Sequence, residues 1–489
     1  MVNLDFTTPG YYIWFLPCVI LGILALSRGR KRIQVGLILL FSYLFFLLAS
    51  GWHVILLAIS TLMDWTIAKR IFSSENQRTK RLLLTFTLTT NLILLAVFKY
   101  LDMIIRSYGL FSLKFWWMPD IDPYGLLLPV GISFYTFQTM SYSIDVYRSK
   151  YEPYKDFIDF AAYASFFPQL VAGPIVRADD FLEQIQSPLT FQERNFRLAI
   201  TFIIYGLVKK LVFANNMAAH VDSIFIDGVD LHNTALVWWG TLCFGIQIYC
   251  DFSAYTDIAI GSAIFLGIQL PENFKTPYAA RSPQDFWRRW HISLSTWLRD
   301  YLYISLGGSR YGAKRLYLAL MATMVLGGLW HGASWNFVLW GFVHGIALII
   351  HRLTHKRNFI VLVFSNKFTK SPAVLSGWLI TQVFVFFTWL IFRVEDQGML
   401  ISALQGFVGY DSFFDIEKAR EVLPDVQYIT FFLVILFILI HGLSGKFGGF
   451  RTRIADSPGW VWGVIMGISL MMMLYLRPDH PTDFIYFRF

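Results

Sequence analysis

The sequence predicts an all-α polytopic membrane protein of about 11 to 12 transmembrane or re-entrant helices, and three observations carry that expectation. Of 489 residues, 56% are hydrophobic and only 15% are charged, whereas soluble domains carry about 25% charged residues. Apolar runs recur along the whole chain, most of them close to the length needed to cross a hydrocarbon core ~30 Å thick. Lysines and arginines, which give a formal net charge of +9, bunch in the short connections between those runs. In such a chain the surplus reads as orientation and lipid-headgroup contact, and no nucleic-acid partner is expected. Cys18, Cys243 and Cys250 all lie in apolar stretches, so neither a disulfide framework nor a cysteine-based metal site is expected.

The first apolar segment, 11–27, follows a stretch without Lys or Arg and precedes the basic run RGRKR (28–32). That order is unlike a signal peptide's basic start and predicts a retained anchor with its N-terminus outside. Further spans are expected at 33–50, 54–68, 82–98, 126–145, 197–214, 233–250, 316–329, 335–351, 373–392, 428–443 and 459–476. Segments 160–175 and 253–269 are apolar but interrupted by Pro and Gly or by acids. They are expected to be re-entrant or buried, because irregular backbone at membrane depth survives only inside protein. The connections 68–81, 147–156, 351–359 and 445–453 are basic and read as cytoplasmic, while 215–233 holds three aspartates and no Lys or Arg and reads as an outside loop. Both termini then lie outside. Lys209 and Lys210 fall inside span 197–214, where they require snorkelling or a buried acidic partner. No internal repeat or low-complexity linker divides the chain. One membrane domain is expected over 1–489, with N-terminal helices over 1–98, a core over 99–355 and C-terminal helices over 356–489.

The longest non-spanning stretch, 271–315, is basic and aromatic. Ser282-Pro283-Gln284-Asp285 is a helix start, with a capping Ser, a Pro suited to the first turn and an acid near the positive helix end. Trp287, Trp290, His291, Leu294, Trp297, Leu298 and Tyr301 then recur at helical spacing, with Arg288, Arg289 and Arg299 between them. This predicts an amphipathic helix lying at or dipping into the cytoplasmic face. The tryptophans and arginines also suit a plain interfacial anchor. His291 stands apart because it falls on the aromatic face, as a reactive group or as a hydrogen-bonded structural one.

Beyond it lies LGGLWHGASWNFVLWGFVHG (326–345). Segment 316–329 has about 14 residues and climbs about 21 Å, so it ends inside the membrane. Gly327 and Gly328 permit close helix packing there. His331 follows at a bend, Gly332-Ala333-Ser334 removes bulk around it, and Ser334 can cap the returning helix. The expectation is a titratable ring in a small-residue gap, walled by Trp330, Trp335 and Trp340, where a ligand can enter. A packing bend around a satisfied histidine is the other reading.

QIYCDFSAYTDIAIG (247–261) sets Asp251 and Asp257 among Tyr249 and Tyr255. Intramembrane acids need a partner, and Arg288, Arg289 or a histidine are the candidates. LLPVGISFYTFQTMSYSIDVYR (127–148) and FFPQLVAGPIVR (166–177) carry Pro and Gly inside apolar sequence, implying broken helices around a cavity. His351 and His355, at i and i+4 in a basic loop without an acid, make a poor metal pair, so no metal site is expected. His344 reads as structural. No nucleophile elbow, Walker loop or dinucleotide fingerprint occurs.

FWRRWHISLSTWLRDYLYISLGG followed by LGGLWHGASWNFVLWGFVHG resembles the membrane-bound O-acyltransferase (MBOAT) superfamily, and more narrowly its bacterial alginate O-acetyltransferase-like branch. PVGISFYTFQTMSYSIDVYR, FFPQLVAGPIVR, QIYCDFSAYTDIAIG and the terminal DFIYFRF are similar to that branch too. The likeness runs from about residue 90 to the end, with the motifs in the family's order. It implies helices around a central tunnel, His331 as the family's membrane histidine and His291 as its polar partner. It also implies acyl transfer from a thioester to a hydroxyl. His331 would act as base toward the acceptor hydroxyl or, by nitrogen attack on the thioester, as nucleophile. His291, Tyr249 or Asn336 would hydrogen-bond the carbonyl oxygen as charge develops. Trp330 and Asp251 are the remaining substrate-side candidates. Arg288, Arg289 and the rest of the basic 275–315 face would meet the donor's phosphates.

The implied donor is acetyl-CoA or another acyl thioester, arriving from the cytoplasm, with no tightly bound cofactor. The implied acceptor is a polysaccharide hydroxyl outside a bacterial cytoplasmic membrane. Membrane lipids surround the chain, and an extracytoplasmic partner acetyltransferase is expected to complete a relay. Two rival readings stand beside this one. A D-alanyl transferase of teichoic acid would take its acyl group from a carrier-protein thioester. A transporter of a lipid-linked sugar would show inverted repeats, and none is found.

Overall fold

A computed structural model describes residues 8, 10–27, 29–112, 123–126, 128–170, 173–189, 193–226, 231–356, 370–410, 415–417, 423, 427–478, 482, 484 and 485. Helices account for most of it, and no extended strand occurs among the described residues. Parts of several expected features lie outside them: 227–230 of the acidic loop, Val171 and Ala172 of FFPQLVAGPIVR, 357–359 of the basic loop, and all of the terminal DFIYFRF except Phe484 and Ile485. Six helical stretches are long and apolar enough to cross a membrane among the described residues: Lys31–Ser73, which holds two helices joined by a turn, Gln77–Gly109, Thr234–Phe265, Trp335–Thr354, Val374–Arg393 and Tyr428–Lys446. The chain divides into two compact units, residues 1–203 with 258–271, and residues 204–257 with 272–489.

The first unit contains α1 (Leu16–Ser27), α2 (Lys31–Ser50), α3 (Val54–Ser73), α4 (Gln77–Ser112) and α5 (Ile132–Tyr147), the short α6 (Phe157–Ser165), α7 (Phe167–Leu170) and α8 (Ala178–Leu182), and most of α9 (Glu193–Val208). The expected spans at 33–50 and 54–68 are α2 and α3, separated by a single turn, Gly51–His53. Gly51 sits at φ 59, a conformation glycine adopts without penalty. Phe46, Leu57, Leu95, Ile132, Tyr135 and Leu170 form a buried cluster, while Leu40, Leu44, Ile55, Ile59 and Leu62 point outward. Apolar outer faces are what a lipid-facing helix presents. Asp64 is buried and accepts hydrogen bonds from Thr87 and from Asn91 (3.0 Å), so the carboxylate has polar partners away from water. The expected break in segment 160–175 is present as α6 and α7. A Cβ on Gly173 would collide with the backbone of Gln169, which explains the glycine there.

The second unit contains α10 (Asn215–Phe225), α11 (Thr234–Phe265, its last turns in the first unit), α12 (Pro283–Trp287), α13 (Ile292–Trp297), α14 (Gly312–His331), α15 (Trp335–Lys356), α16 (Lys370–Arg393), α17 (Gln397–Val408), α18 (Gln427–Phe447), α19 (Phe450–Ala455) and α20 (Gly459–Tyr475). Four expectations change here. The separate segments 233–250 and 253–269 are one helix, α11, because Asp251 and Asp257 are neutralised by lysines and do not break it. Its spanning window is 78% buried against 17–39% for the other five spans, so it is an interior helix. The outside loop at 215–233 is half helix, since α9 continues through a π-turn, Lys209–Ala214, into α10. The unforeseen α17 starts at Asp396, whose side chain accepts from Met399 N (2.8 Å), and ends at left-handed Gly409.

The fourth change concerns the stretch before His331. Helix α14 is 20 residues long rather than about 14. Lys314 and Arg315 lie exposed in its first turn, and His331 is about 24 Å further along the axis. Helices α14 and α15 form a tight hairpin. A Cβ on Gly328 would meet the Phe337 carbonyl oxygen, and one on Gly341 would meet that of Met324. Small residues thus let the two backbones touch, as the GG pair predicted. Ser334 caps α15 by accepting from Asn336 N (3.2 Å).

Candidate functional site

His331 is the last residue of α14 and is buried. Its ring packs edge-on against Trp330 and Trp340, each 5.2 Å between centroids, and Phe392 at 5.4 Å. Trp335, expected as a third tryptophan wall, is 55% exposed. The gap expected at Gly332 is occupied, because a Cβ there would strike the Phe337 ring. The glycine therefore seats an aromatic side chain beside His331.

His291 reaches the same place from the non-spanning stretch. The continuous amphipathic helix expected over 282–301 is instead interrupted. Ser282 caps α12 by accepting from Asp285 N (3.1 Å), as its sequence predicted. The chain then turns at His291, whose φ of 42 is left-handed, and restarts as α13. A non-glycine residue held in that conformation marks a locally over-determined site. Its ring is fully buried, 4.7 Å from Phe252 and 5.8 Å from Trp330. Trp330 thus touches both histidines, and the two motifs converge in one place. Burial first, then the nearby His331 ring, hold the His291 imidazole well below the usual histidine range, so it is neutral near pH 7. Its Nδ1 lies 3.3 Å from Asn273 Oδ1.

The remaining candidates separate. Arg288 is exposed and lines an open groove of about 690 Å³ with Trp287, Thr296, Arg299, Met324 and Arg352. Trp287 packs on Trp340 (5.7 Å), so one aromatic layer lies between that groove and His331. Arg289 points elsewhere, to Asp285 (2.8 Å) and the Lys275 carbonyl (3.3 Å). It borders a second, polar cavity of about 330 Å³ with Lys209, Tyr249, Asp257, Asn273 and Arg451. Tyr249 is packed by Phe274, Tyr278, Phe437 and His441, not by either site histidine. Asn336 donates its amide to the carbonyls of Val394 and Glu395 (3.2 Å for the latter), so the donor expected for an acyl oxygen is committed to backbone.

Asp251 and Asp257 find partners that the sequence did not single out for them. Lys210 Nζ is 2.6 Å from Asp251, and Lys209 pairs with Asp257 while donating to Ser253 (2.7 Å). Neither Arg288 nor Arg289 serves as the partner. The π-turn at 209–214 accounts for two adjacent inward lysines, because its extra residue widens the turn. Arg451 completes the network by bonding Asp257 and Glu272 (2.6 Å). Asp251 also accepts the backbone N–H of Ile485, which fastens the C-terminal segment to α11. Asn273 and Arg451 were not foreseen, since neither belongs to a spaced motif and each acts through a contact distant in sequence.

The profile of MBOAT, the membrane-bound O-acyltransferase family, matches residues 38–395, a span containing both histidines. A probable alginate O-acetylase AlgI of Pseudomonas putida is 34% identical over 99% of this chain and 100% of its own. A peptidoglycan O-acetyltransferase of Helicobacter pylori is 34% identical over 83% of this chain and 80% of its own. A teichoic acid D-alanyltransferase of Bacillus subtilis is 27% identical, over 56% of this chain and 71% of its own. With the profile spanning the histidine pair and one relative matched from end to end, the chain belongs to the membrane-bound O-acyltransferase family and is an O-acyltransferase.

Proposed function

We propose that the protein moves an acetyl group from a cytoplasmic thioester, acetyl-CoA, to a hydroxyl of an extracytoplasmic polysaccharide, directly or through a partner acetyltransferase. The observation that carries the reading is the convergence of His331 and His291 on Trp330 in a buried aromatic setting. Excluding water there protects a thioester from hydrolysis.

In the transfer, the acceptor oxygen forms a bond to the thioester carbonyl carbon while an imidazole nitrogen takes its proton. The tetrahedral intermediate then collapses, the C–S bond breaks, and the departing sulfur receives that proton. Alternatively His331 attacks first, carries the acetyl group as an acyl-imidazole, and passes it to the hydroxyl in a second step. Both routes need His331.

Donor entry through the groove bordered by Arg288, Arg299 and Arg352 is supported by its chemistry. Guanidinium groups suit phosphates, the floor of Trp287, Leu298, Leu320 and Met324 suits an extended apolar arm, and the volume lies in the usual range for ligand sites. A bacterial cytoplasmic-membrane location with both termini outside is supported by the basic connections. The polysaccharide acceptor is supported by the relatives' names, alginate and peptidoglycan acetylases, and by their higher identity than the D-alanyltransferase.

Thioester turnover tests the donor. Purified protein is incubated with acetyl-CoA or with an acylated carrier protein, with and without polysaccharide, and free thiol is followed. Release from acetyl-CoA alone among the donors is expected. Release only from the carrier-protein thioester would replace the acetyl-CoA reading by the D-alanyl-transferase one.

A further inference from the structure

We infer that Asn273 is a positioning residue for the transfer: its side-chain oxygen fixes which nitrogen of His291 carries hydrogen, so that Nε2 is presented to the reacting hydroxyl as a hydrogen-bond acceptor. The inference rests on the reading of His291 as part of the transfer site.

The amide orientation is determined by a group that can only donate. Asn273 Oδ1 lies 3.0 Å from the backbone N of Ser293 and 3.0 Å from its hydroxyl. A backbone N–H has no acceptor capacity, so the Asn273 atom facing it is the carbonyl oxygen. The His291 Nδ1 lies 3.3 Å from that same oxygen. An acceptor oxygen calls for a donor opposite, so Nδ1 carries the hydrogen and the lone pair of the neutral ring sits on Nε2. Nε2 is buried and has no hydrogen-bond partner among the described residues. A buried polar atom without a partner is costly and calls for an explanation, and a substrate hydroxyl supplies the missing donor.

The surroundings hold this arrangement rigidly. Ile292 N donates to Asn273 O and Lys275 N to Arg289 O, both at 2.9 Å, so two backbone bonds clamp the segments on either side of His291. Phe252 packs edge-on against the imidazole at 4.7 Å, and Trp330 flanks it at 5.8 Å. In the neutral ring His291 receives a hydrogen bond at Nε2 and gives none there. Before the proton moves it is therefore an acceptor at Nε2 and not a donor to the carbonyl oxygen, the role considered for it beside Tyr249 and Asn336. On the acyl-imidazole route the hydroxyl proton passes to Nε2 of His291 as the new C–O bond to the acetyl carbon forms, and moves on to the His331 nitrogen as the old C–N bond breaks.

The charged and titratable groups around His291 are few. His331 lies beyond Trp330, and Arg289 with Asp285 stands on the preceding turn. Glu272 and Lys275 flank Asn273 in sequence. Lys209, Asp257 and Arg451 border the polar cavity that Asn273 also lines.

The test compares Asn273→Ala, Asn273→Asp and His291→Ala with the wild type, using pH–rate profiles and ¹⁵N-histidine spectra assigned by loss of the His291 signal. The wild-type spectrum should show hydrogen on Nδ1 of His291. Asn273→Ala should lower kcat about 10- to 100-fold, the range typical when a metal-bound histidine loses the group that orients it, with the donor KM little changed. Asn273→Asp keeps an acceptor oxygen, so it should fold and retain most activity. Its carboxylate favours the imidazolium, so the acid limb of its profile should move to higher pH. Hydrogen on Nε2 in the wild type, or an Asn273→Asp profile superimposable on the wild type, would overturn the inference. Full activity in His291→Ala would instead overturn the reading on which it rests.

Discussion

Replacing Lys210 with methionine isolates the buried charge network. The Lys210 and Asp251 side chains are 1% and 3% exposed, and their charged atoms are 2.6 Å apart. Methionine keeps the apolar stem but leaves the Asp251 carboxylate buried with, among the described residues, only the Ile485 N–H for company. Removing one partner of a buried pair costs about 3–5 kcal/mol. An unfolding entropy of about 2.1 cal/mol/K per residue over 489 residues gives about 1 kcal/mol per degree, so the thermal midpoint should fall by about 3–5 °C. Intrinsic fluorescence of detergent-solubilised protein reads this directly. Lys210→Met combined with Asp251→Leu removes both charges and should recover most of the loss, because a well-packed apolar replacement of a buried pair is often neutral or better. A shift under about 1 °C for the single variant, or a double variant less stable than the single, would refute the assignment of Lys210 and Asp251 as an obligatory pair.

Other substitutions separate packing from chemistry. Gly328→Leu should force α14 and α15 apart at the Phe337 carbonyl, at a cost of about 1–3 kcal/mol or more, seen as a lower thermal midpoint and poorer yield of monodisperse protein. Asn336→Ala strips donors from the Val394 and Glu395 carbonyls and should cost about 1–3 kcal/mol of stability while leaving kcat per folded molecule near wild type. A large fall in kcat would return Asn336 to the reacting atoms. Arg288→Gln should raise the KM for acetyl-CoA several-fold with little effect on kcat, since an exposed phosphate contact is made equally in ground and transition states. Thr354→Cys in a cysteine-free background should react with impermeant maleimide only from the cytoplasmic side, and labelling from outside would invert the proposed orientation.

Much of this fold was legible because lipid imposes a simple rule. Apolar length with basic connections marked α2, α3, α15, α16 and α18 within a few residues. The rule fails where protein rather than lipid surrounds the helix. Asp251 and Asp257 looked like breaks in α11, yet lysines 48 or fewer residues away in sequence neutralise them, and periodicity carries no trace of that pairing. The helix start at Ser282 was readable from capping chemistry, whereas the reversal at His291 was not, because it depends on Asn273 and on backbone bonds across the turn. The signal for α17 was present in Asp396 and Gly409 but lies in a short helix flanked by polar residues. At the site, the meeting of His291 and His331 followed from the motif likeness. The small-residue gap was misjudged, because Gly332 makes room for Phe337 and not for open space.

The most direct test of the central claim is acetyl transfer by His331→Ala, measured as radiolabelled acetyl incorporated into polysaccharide by membranes containing matched amounts of folded protein. His331 packs against three aromatic rings, so a thermal midpoint for each preparation accompanies the assay. Transfer should fall to the level of membranes lacking the protein while the midpoint stays within a few degrees of wild type. Sustained transfer by the folded variant would contradict it, since both the base and the acyl-imidazole routes run through that one ring.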